Sequence, residues 1–231
     1  MAQVVYDGNP AQYEHLIRDG YEFRLGDYVN RGWELFKQNI GGFVGFSFLY
    51  LVAVAGSGQI PYIGWLIQTL IGAPLVAGFF IVADKIAKGQ PHEFNDFFKG
   101  FDHMLQLVIG NLVMSVLIVL GLVLLIVPGI YLAVAYSMFV PIVIFARLEF
   151  WPALELSRKV VTKNWVNFFV LALVFVGIAL LGLLALVVGL FAALPVIYCI
   201  SYSAYDDIFG TGESSAFDDR IEEIGNKDAG F

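Results

Sequence analysis

Charge is what this chain has least of. Only 14% of its 231 residues are Asp, Glu, Lys or Arg, against 59% apolar and 16% aromatic, a balance outside the range of ordinary soluble domains. There is one cysteine, Cys199, so no disulfide can close within the chain, and its apolar surroundings leave the redox compartment unread. The three histidines, His15, His92 and His103, all fall in charged segments. No glycine-rich phosphate loop occurs, and no basic patch interleaved with aromatics, so nucleic acid is not an expected partner. The N-terminal MAQVVYDGNPAQYEHLIRDG lacks a basic start followed by an apolar core. That predicts a retained cytoplasmic segment over residues 1–24 rather than a cleaved signal peptide.

Charged residues are absent altogether from residues 38–83, 103–146 and 164–205, intervals of 46, 44 and 42 residues. About 20 apolar residues cross a ~30 Å hydrocarbon core, so each interval fits two crossings and a tight turn and is too short for three. The expectation is an all-α integral membrane fold with six transmembrane helices. Each interval holds an even number of crossings, so every charged segment lies on one side. Arg24, Arg31, Lys37, Lys85, Lys88, Lys99, Arg147, Arg158, Lys159 and Lys163 make that side the cytoplasm. Both termini then lie inside, and the outer turns near 56–59, 126–129 and 189–193 are short and uncharged. The formal charge of −7 is concentrated in eight acids and two bases after Tyr205. Residues 210–231 read as an acidic flexible tail.

The intervals are also copies of one another. Ile60-Pro61-Tyr62-Ile63, Val127-Pro128-Gly129-Ile130 and Leu194-Pro195-Val196-Ile197 recur at an offset of 67 residues, as do Pro74 and Pro141. Such periodicity fixes architecture before local propensity does. Each copy follows an amphipathic stretch: Val29, Trp33, Phe36 and Ile40; Phe94, Phe97, Phe98, Phe101 and Leu105; Leu154, Val161 and Trp165. The fold is therefore read as three repeated hairpins over 25–88, 89–148 and 149–209, each preceded by a cytoplasmic amphipathic interfacial helix. Because Asn164 stands 31 residues before Pro195, against 22 from Asn39 to Pro61, the third turn is expected before Pro195, which then kinks the last helix. Mid-helix Pro74 and Pro141 are expected to bend their helices. Gly72, Ala73, Ala77, Gly78, Gly177 and Gly182 suit close helix contacts.

Several motifs cluster in the second half: the Pro128-Gly129 turn followed by Tyr131 and Tyr136, the Pro141 helix ending near Arg147, Ala153-Leu154-Glu155-Leu156-Ser157, and Asn164-Trp165 before Phe168-Phe169. Together they resemble the membrane domain of some bacterial glycerophosphodiester phosphodiesterases and related six-helix families of unknown function. The resemblance implies a membrane fold in a bacterial cytoplasmic (inner) membrane. It implies no activity, since the sequence is read as having no catalytic domain after that fold.

No catalytic residue, metal ligand or cofactor is assigned. His92 with Glu93 and Asp96, or Asp102 with His103, would serve as a metal cluster only if they converged; the wet face of an amphipathic helix explains them as well. Asp206-Asp207 reads as a solvated helix end. Without ionisable groups in the apolar intervals, proton-driven transport is disfavoured. Gln68, Asn111 and Ser137 remain as intramembrane polar contacts. The richest candidates are lipid or partner contacts on the interfacial helices: Trp33, Phe36, Phe97, Phe98, Phe101, Arg158, Lys159 and Trp165. They either insert at headgroup level or pack against the ends of their own hairpins.

The expected function is a non-enzymatic scaffold, accessory subunit or membrane-organising factor that binds membrane lipids or a membrane-protein partner, with self-association open. The alternative is a transporter or channel for a lipidic or neutral solute, through a cavity lined by Gln68, Asn111 and Ser137. A membrane enzyme would need the cytoplasmic acids and His103 to meet in one pocket.

Overall fold

The computed structural model describes residues 9–59, 64–185 and 189–210, and among them every regular element is a helix. Ile60-Pro61-Tyr62-Ile63 and the tail beyond Gly210 lie outside the described residues. After a 3-10 turn at Pro10–Tyr13 come α1 (Glu14–Arg18), α2 (Leu25–Gln38), α3 (Ile40–Gly58) and α4 (Gly64–Ala87). A 3-10 helix, Phe94–His103, runs straight into α5 (Met104–Leu124), followed by α6 (Ile126–Ala135), α7 (Phe139–Phe145), α8 (Phe150–Lys163), α9 (Trp165–Leu184) and α10 (Leu190–Phe209).

The boundaries have local causes. Asn39 leaves helical geometry at φ −146°, ψ 53°, and its side chain accepts the Gly42 N–H at the start of α3, an N-cap that replaces a missing backbone partner. Asn164, at φ −124°, ψ 37°, makes the same one-residue corner between α8 and α9. Past the end of α4, Gly89 at φ 62° donates to Ile86 while Gln90 donates to Lys85, a Schellman closure that glycine enters without a Cβ penalty. The second turn is tighter than expected. Leu125 alone, extended at φ −157°, joins α5 to α6, and Pro128 sits inside the first turn of α6, where its missing N–H costs nothing. α10 begins at Leu190 and carries Pro195 within it.

Five stretches are long and apolar enough to cross a bilayer: Ile40–Gly58, Ile67–Ala87, Phe94–Leu124, Ile126–Phe145 and Trp165–Leu184. The chain is a multi-pass membrane protein. Six such stretches were expected from the charge-free intervals; α10 differs because it carries Ser201, Tyr202, Ser203, Asp206 and Asp207. Its environment explains the difference. Pro195, Cys199, Ile200, Tyr202, Tyr205 and Phe209 are all buried, so much of α10 is solvated by protein and need not be as apolar as a helix facing lipid.

Burial sorts the helices into an outer and an inner set. The apolar stretches of α3, α5 and α9 are 22%, 17% and 17% buried, against 56% in α4 and 50% in α6–α7. Exposed Leu and Val side chains, such as Val116, Val119, Leu173, Val176 and Leu180, coat the outer set. Inside, α10 touches α4, and α4 touches α7. Tyr198 stacks on Phe79 at 4.9 Å, and Phe145 meets Tyr202 at 5.8 Å.

The amphipathic segments pack differently from expectation. α2 lies mainly on α10, the Phe94–His103 helix on α4, and α8 on α5, α6 and α7. Each thus rests chiefly on a neighbouring pair rather than on the ends of the helices that follow it. Each crossing is made by a small residue. A Cβ on Gly32 would stand 2.5 Å from the Ile200 backbone, and one on Gly100 would stand 2.0 Å from the Pro74 carbonyl oxygen. At the third crossing Ser157 is buried and bonded to α6.

Candidate functional site: buried ion pairs and an apolar groove along α10

The α2–α10 contact carries two charges from each side. Arg24 pairs with Asp207 and Arg31 with Asp206, and the Tyr28 hydroxyl donates to Asp207 at 2.7 Å. Arg31 at 9% exposed, Asp206 at 17% and Asp207 at 12% are well removed from water, while the Arg24 side chain is 45% exposed. Asp207 raises the Arg24 pKa above its ordinary value. Burial, reinforced by Asp207, raises that of the Tyr28 phenol. A third acid joins from α4, where Asp84 accepts from Tyr202 at 3.0 Å and pairs with Lys88 at 2.8 Å. The solvated helix end expected at Asp206-Asp207 is therefore corrected. Two arginines from the opposite end of the chain cover these acids, a pairing the local sequence could not show.

A second polar centre holds the Phe94–His103 helix on α4. Buried Asp96 receives Lys85 at 2.8 Å and Lys99 at 2.6 Å, and accepts the Glu93 N–H at 2.8 Å. Its carboxylate is thus committed to two ammonium groups and a cap. Among the described residues no three His, Cys, Asp or Glu side chains are grouped as metal ligands would be. Asp96 is a structural hub.

The third lies at the break between α6 and α7. Pro141 has no N–H to offer Ser137, and the chain leaves helical geometry at Tyr136–Met138. Phe139 donates to Tyr136 instead of to Ala135. Ser157 from α8 takes up the freed groups: its hydroxyl donates to the Ala135 carbonyl at 2.8 Å and accepts the Met138 N–H at 3.2 Å. Beside it Tyr131 meets Thr162 at 2.8 Å, and the Trp165 indole donates to the Tyr131 carbonyl at 3.3 Å.

Along α10, on the side away from α4, runs a cavity of about 440 Å³ bounded by α2, α9 and α10. Its floor is made shallow-sided by Gly182, Ala185, Gly189, Ala192 and Ala193, and its α2 end by Asn30 and Trp33. Trp33 is 48% exposed there. Sequence reading named Trp33 and Gly182 without joining them. The signal was the run of small residues on either side of the α9–α10 turn.

Family models, curated proteins and solved structures give no match to this chain. The likeness to the phosphodiesterase membrane domain rests on its motifs alone.

The other candidate residues divide. Phe97 is fully buried and Phe36 nearly so. Phe97 stacks on Phe46 at 4.5 Å, so these two anchor the bundle and are corrected as lipid contacts. Phe98 and Phe101 stay on the outside with Phe94 and Leu105. Arg158 and Lys159 both pair with Glu155, at 2.8 and 3.3 Å. The bidentate Arg158 contact, helped by Lys159, lowers the Glu155 pKa. Trp165 stacks on Phe169 at 5.2 Å. Gln68 and Ser137 are exposed and Asn111 half-buried on three different segments, and none lines the groove.

Proposed function

We propose that this chain is a bacterial inner-membrane protein that crosses the bilayer six times as three repeated hairpins, with both termini in the cytoplasm. It acts without catalysis, as a scaffold or membrane-organising accessory subunit that binds lipid and a membrane-protein partner. Three features support the topology. The outer helices α3, α5 and α9 alternate along the chain with the inner α4, α6–α7 and α10. Each amphipathic segment meets a neighbouring pair at one small residue. And α10, at 20 residues, is ~30 Å long at 1.5 Å per residue, enough to return along α9 from Gly189 to the arginines of α2.

The observation that carries the lipid reading is the belt of exposed aromatics where charge begins. Trp33, Phe94, Phe98, Phe101 and Trp151 are all exposed, and Lys37, Lys99 and Lys159 stand beside them with half-exposed side chains. Exposed aromatic rings with cations on the same amphipathic segments suit the headgroup region. Single-tryptophan variants keeping Trp33 or Trp151, reconstituted with lipids brominated near the ester or near the chain end, test it. Quenching is expected to be strongest from the shallow bromines. Quenching by aqueous iodide alone would remove the belt. A protein purified in mild detergent as a bare monomer, without retained lipid or partner, would overturn the function.

A further inference from the structure

We propose that the groove between α2, α9 and α10 seats a single acyl chain of a bilayer phospholipid, with the headgroup at Asn30 and Trp33. The inference rests on the six-span reading above, which puts α9 and α10 at hydrocarbon depth and α2 at the interface. From Gly189 to Ile200 the groove follows eleven residues of α10, or ~16 Å at 1.5 Å per residue. Apolar along that length and polar only at its α2 end, the groove matches an amphiphile lying along α10 with its hydrocarbon chain toward Gly189.

Its chemistry selects the same occupant. Apart from Asn30, the lining is aliphatic, indole, glycine or alanine, and such a cavity does not retain water. Leu181, Ala185 and Trp33 on its rim are exposed, so a chain enters sideways from the bilayer. Ala185 and Ala192 line it without bulk, and at its far end Gly182 and Gly189 let α9 and α10 close on each other, a Cβ on Gly182 standing 2.8 Å from that of Ala193. At the α2 end the environment turns polar. Asn30 and Trp33 present N–H groups, and Lys37 lies one turn further along α2, paired with Glu34 at 2.8 Å. An amide, an indole and an ammonium group on one interfacial helix suit ester and phosphodiester oxygens at headgroup level.

The full-length protein in nanodiscs of phosphatidylglycerol and phosphatidylethanolamine provides the test. On release into the gas phase, native mass spectrometry is expected to find one phospholipid retained after boundary lipid is stripped. Ala185→Phe with Ala192→Phe fills the groove from half-open positions, and retention should fall by about tenfold, the effect of some 1.4 kcal/mol in affinity. Equal retention by wild type and double variant overturns the assignment. Should the variant fail to assemble, wild-type protein with a phospholipid carrying a diazirine at the chain end decides: adducts on α9 and α10 support the seat, and adducts confined to α3 or α5 sink it. Impermeant maleimide labelling of cysteines at the two termini separates the premises. Termini on opposite faces remove the six-span reading itself, whereas termini on one face with unchanged lipid retention remove only the groove.

Discussion

At the scale of single residues, the fold depends on side chains that are missing. Gly78 sits where a Cβ would lie 1.9 Å from the Phe97 carbonyl oxygen, whereas six residues earlier Gly72 has nothing within 4 Å. Gly78→Ala must push the Phe94–His103 helix off α4 and should cost about 1–3 kcal/mol as overpacking. Gly72→Ala should gain about 0.5–1 kcal/mol by stiffening the helix. Thermal unfolding of both in the same detergent measures the contrast, and equal shifts would refute the crossing. Charge follows the same logic in reverse. Removing Arg31 leaves the Asp206 carboxylate buried without its counter-ion, a loss of about 3–5 kcal/mol. Arg31→Met should therefore destabilise more than Arg31→Met with Asp206→Asn; a double variant as unstable as the single would show that Asp206 does not need the guanidinium. The acidity of Asp206-Asp207 was plain in the sequence, but its burial was not, because the covering arginines come from 175 and 183 residues upstream. Local patterning carries no signal for such a contact.

At the scale of elements, α8 does two jobs that sequence periodicity described as one amphipathic face. Its inner face repairs the α6–α7 break. Because Ser157 bonds both Ala135 and Met138, relieving the proline alone should not heal the helix: in Pro141→Ala the Met138 N–H stays on Ser157, and its exchange quickens when Ser157 is replaced by Ala as well. Ser157→Ala strands two buried backbone groups and should cost about 1–3 kcal/mol. Met138 exchange unchanged by Ser157→Ala in the Pro141→Ala background would show that the proline, and not Ser157, sets the break. The outer face carries Glu155, whose pKa is lowered by Arg158 and Lys159. A carboxylate with a depressed folded pKa stabilises above its unfolded value and loses that contribution as pH falls through the folded one. Exchange in α8 should therefore quicken in acid below the ordinary carboxylate range, and Glu155→Gln should remove the dependence. The echo of Asn39 and Asn164 was legible in the sequence, but only Asn39 caps the helix that follows it; Asn164 donates to the Tyr21 carbonyl, 143 residues away. The 3-10 form of Phe94–His103 was not legible, since its lock is the contact of Gly100 and Asp96 with α4.

At the scale of the whole molecule, charge-free length announced the helical membrane class, and the proline offset suggested the repeat. Neither could tell which helix of each pair faces lipid. Hydropathy even misleads there, because the most protein-solvated helix, α10, is the one that falls short of a membrane-spanning composition. The proposed sixth crossing is the point on which the architecture turns. If α10 crosses, Lys37, Lys88 and Lys163 share a face with Gly210, while Ser57 and Gly189 share the other. If it does not, Gly210 stays with Gly189, and Asp206 and Asp207 must leave Arg31 and Arg24 across the bilayer. Those pairs make the second arrangement costly, since at least two carboxylates and two guanidiniums would lose their partners. Single cysteines at Lys37, Lys88, Lys163 and Gly210, in a Cys199→Ser background, are expected to resist an impermeant maleimide in spheroplasts and react after permeabilisation. Ser57→Cys and Gly189→Cys should react before it. Gly210→Cys reacting with the second group would reduce the chain to five crossings and dissolve the threefold repeat.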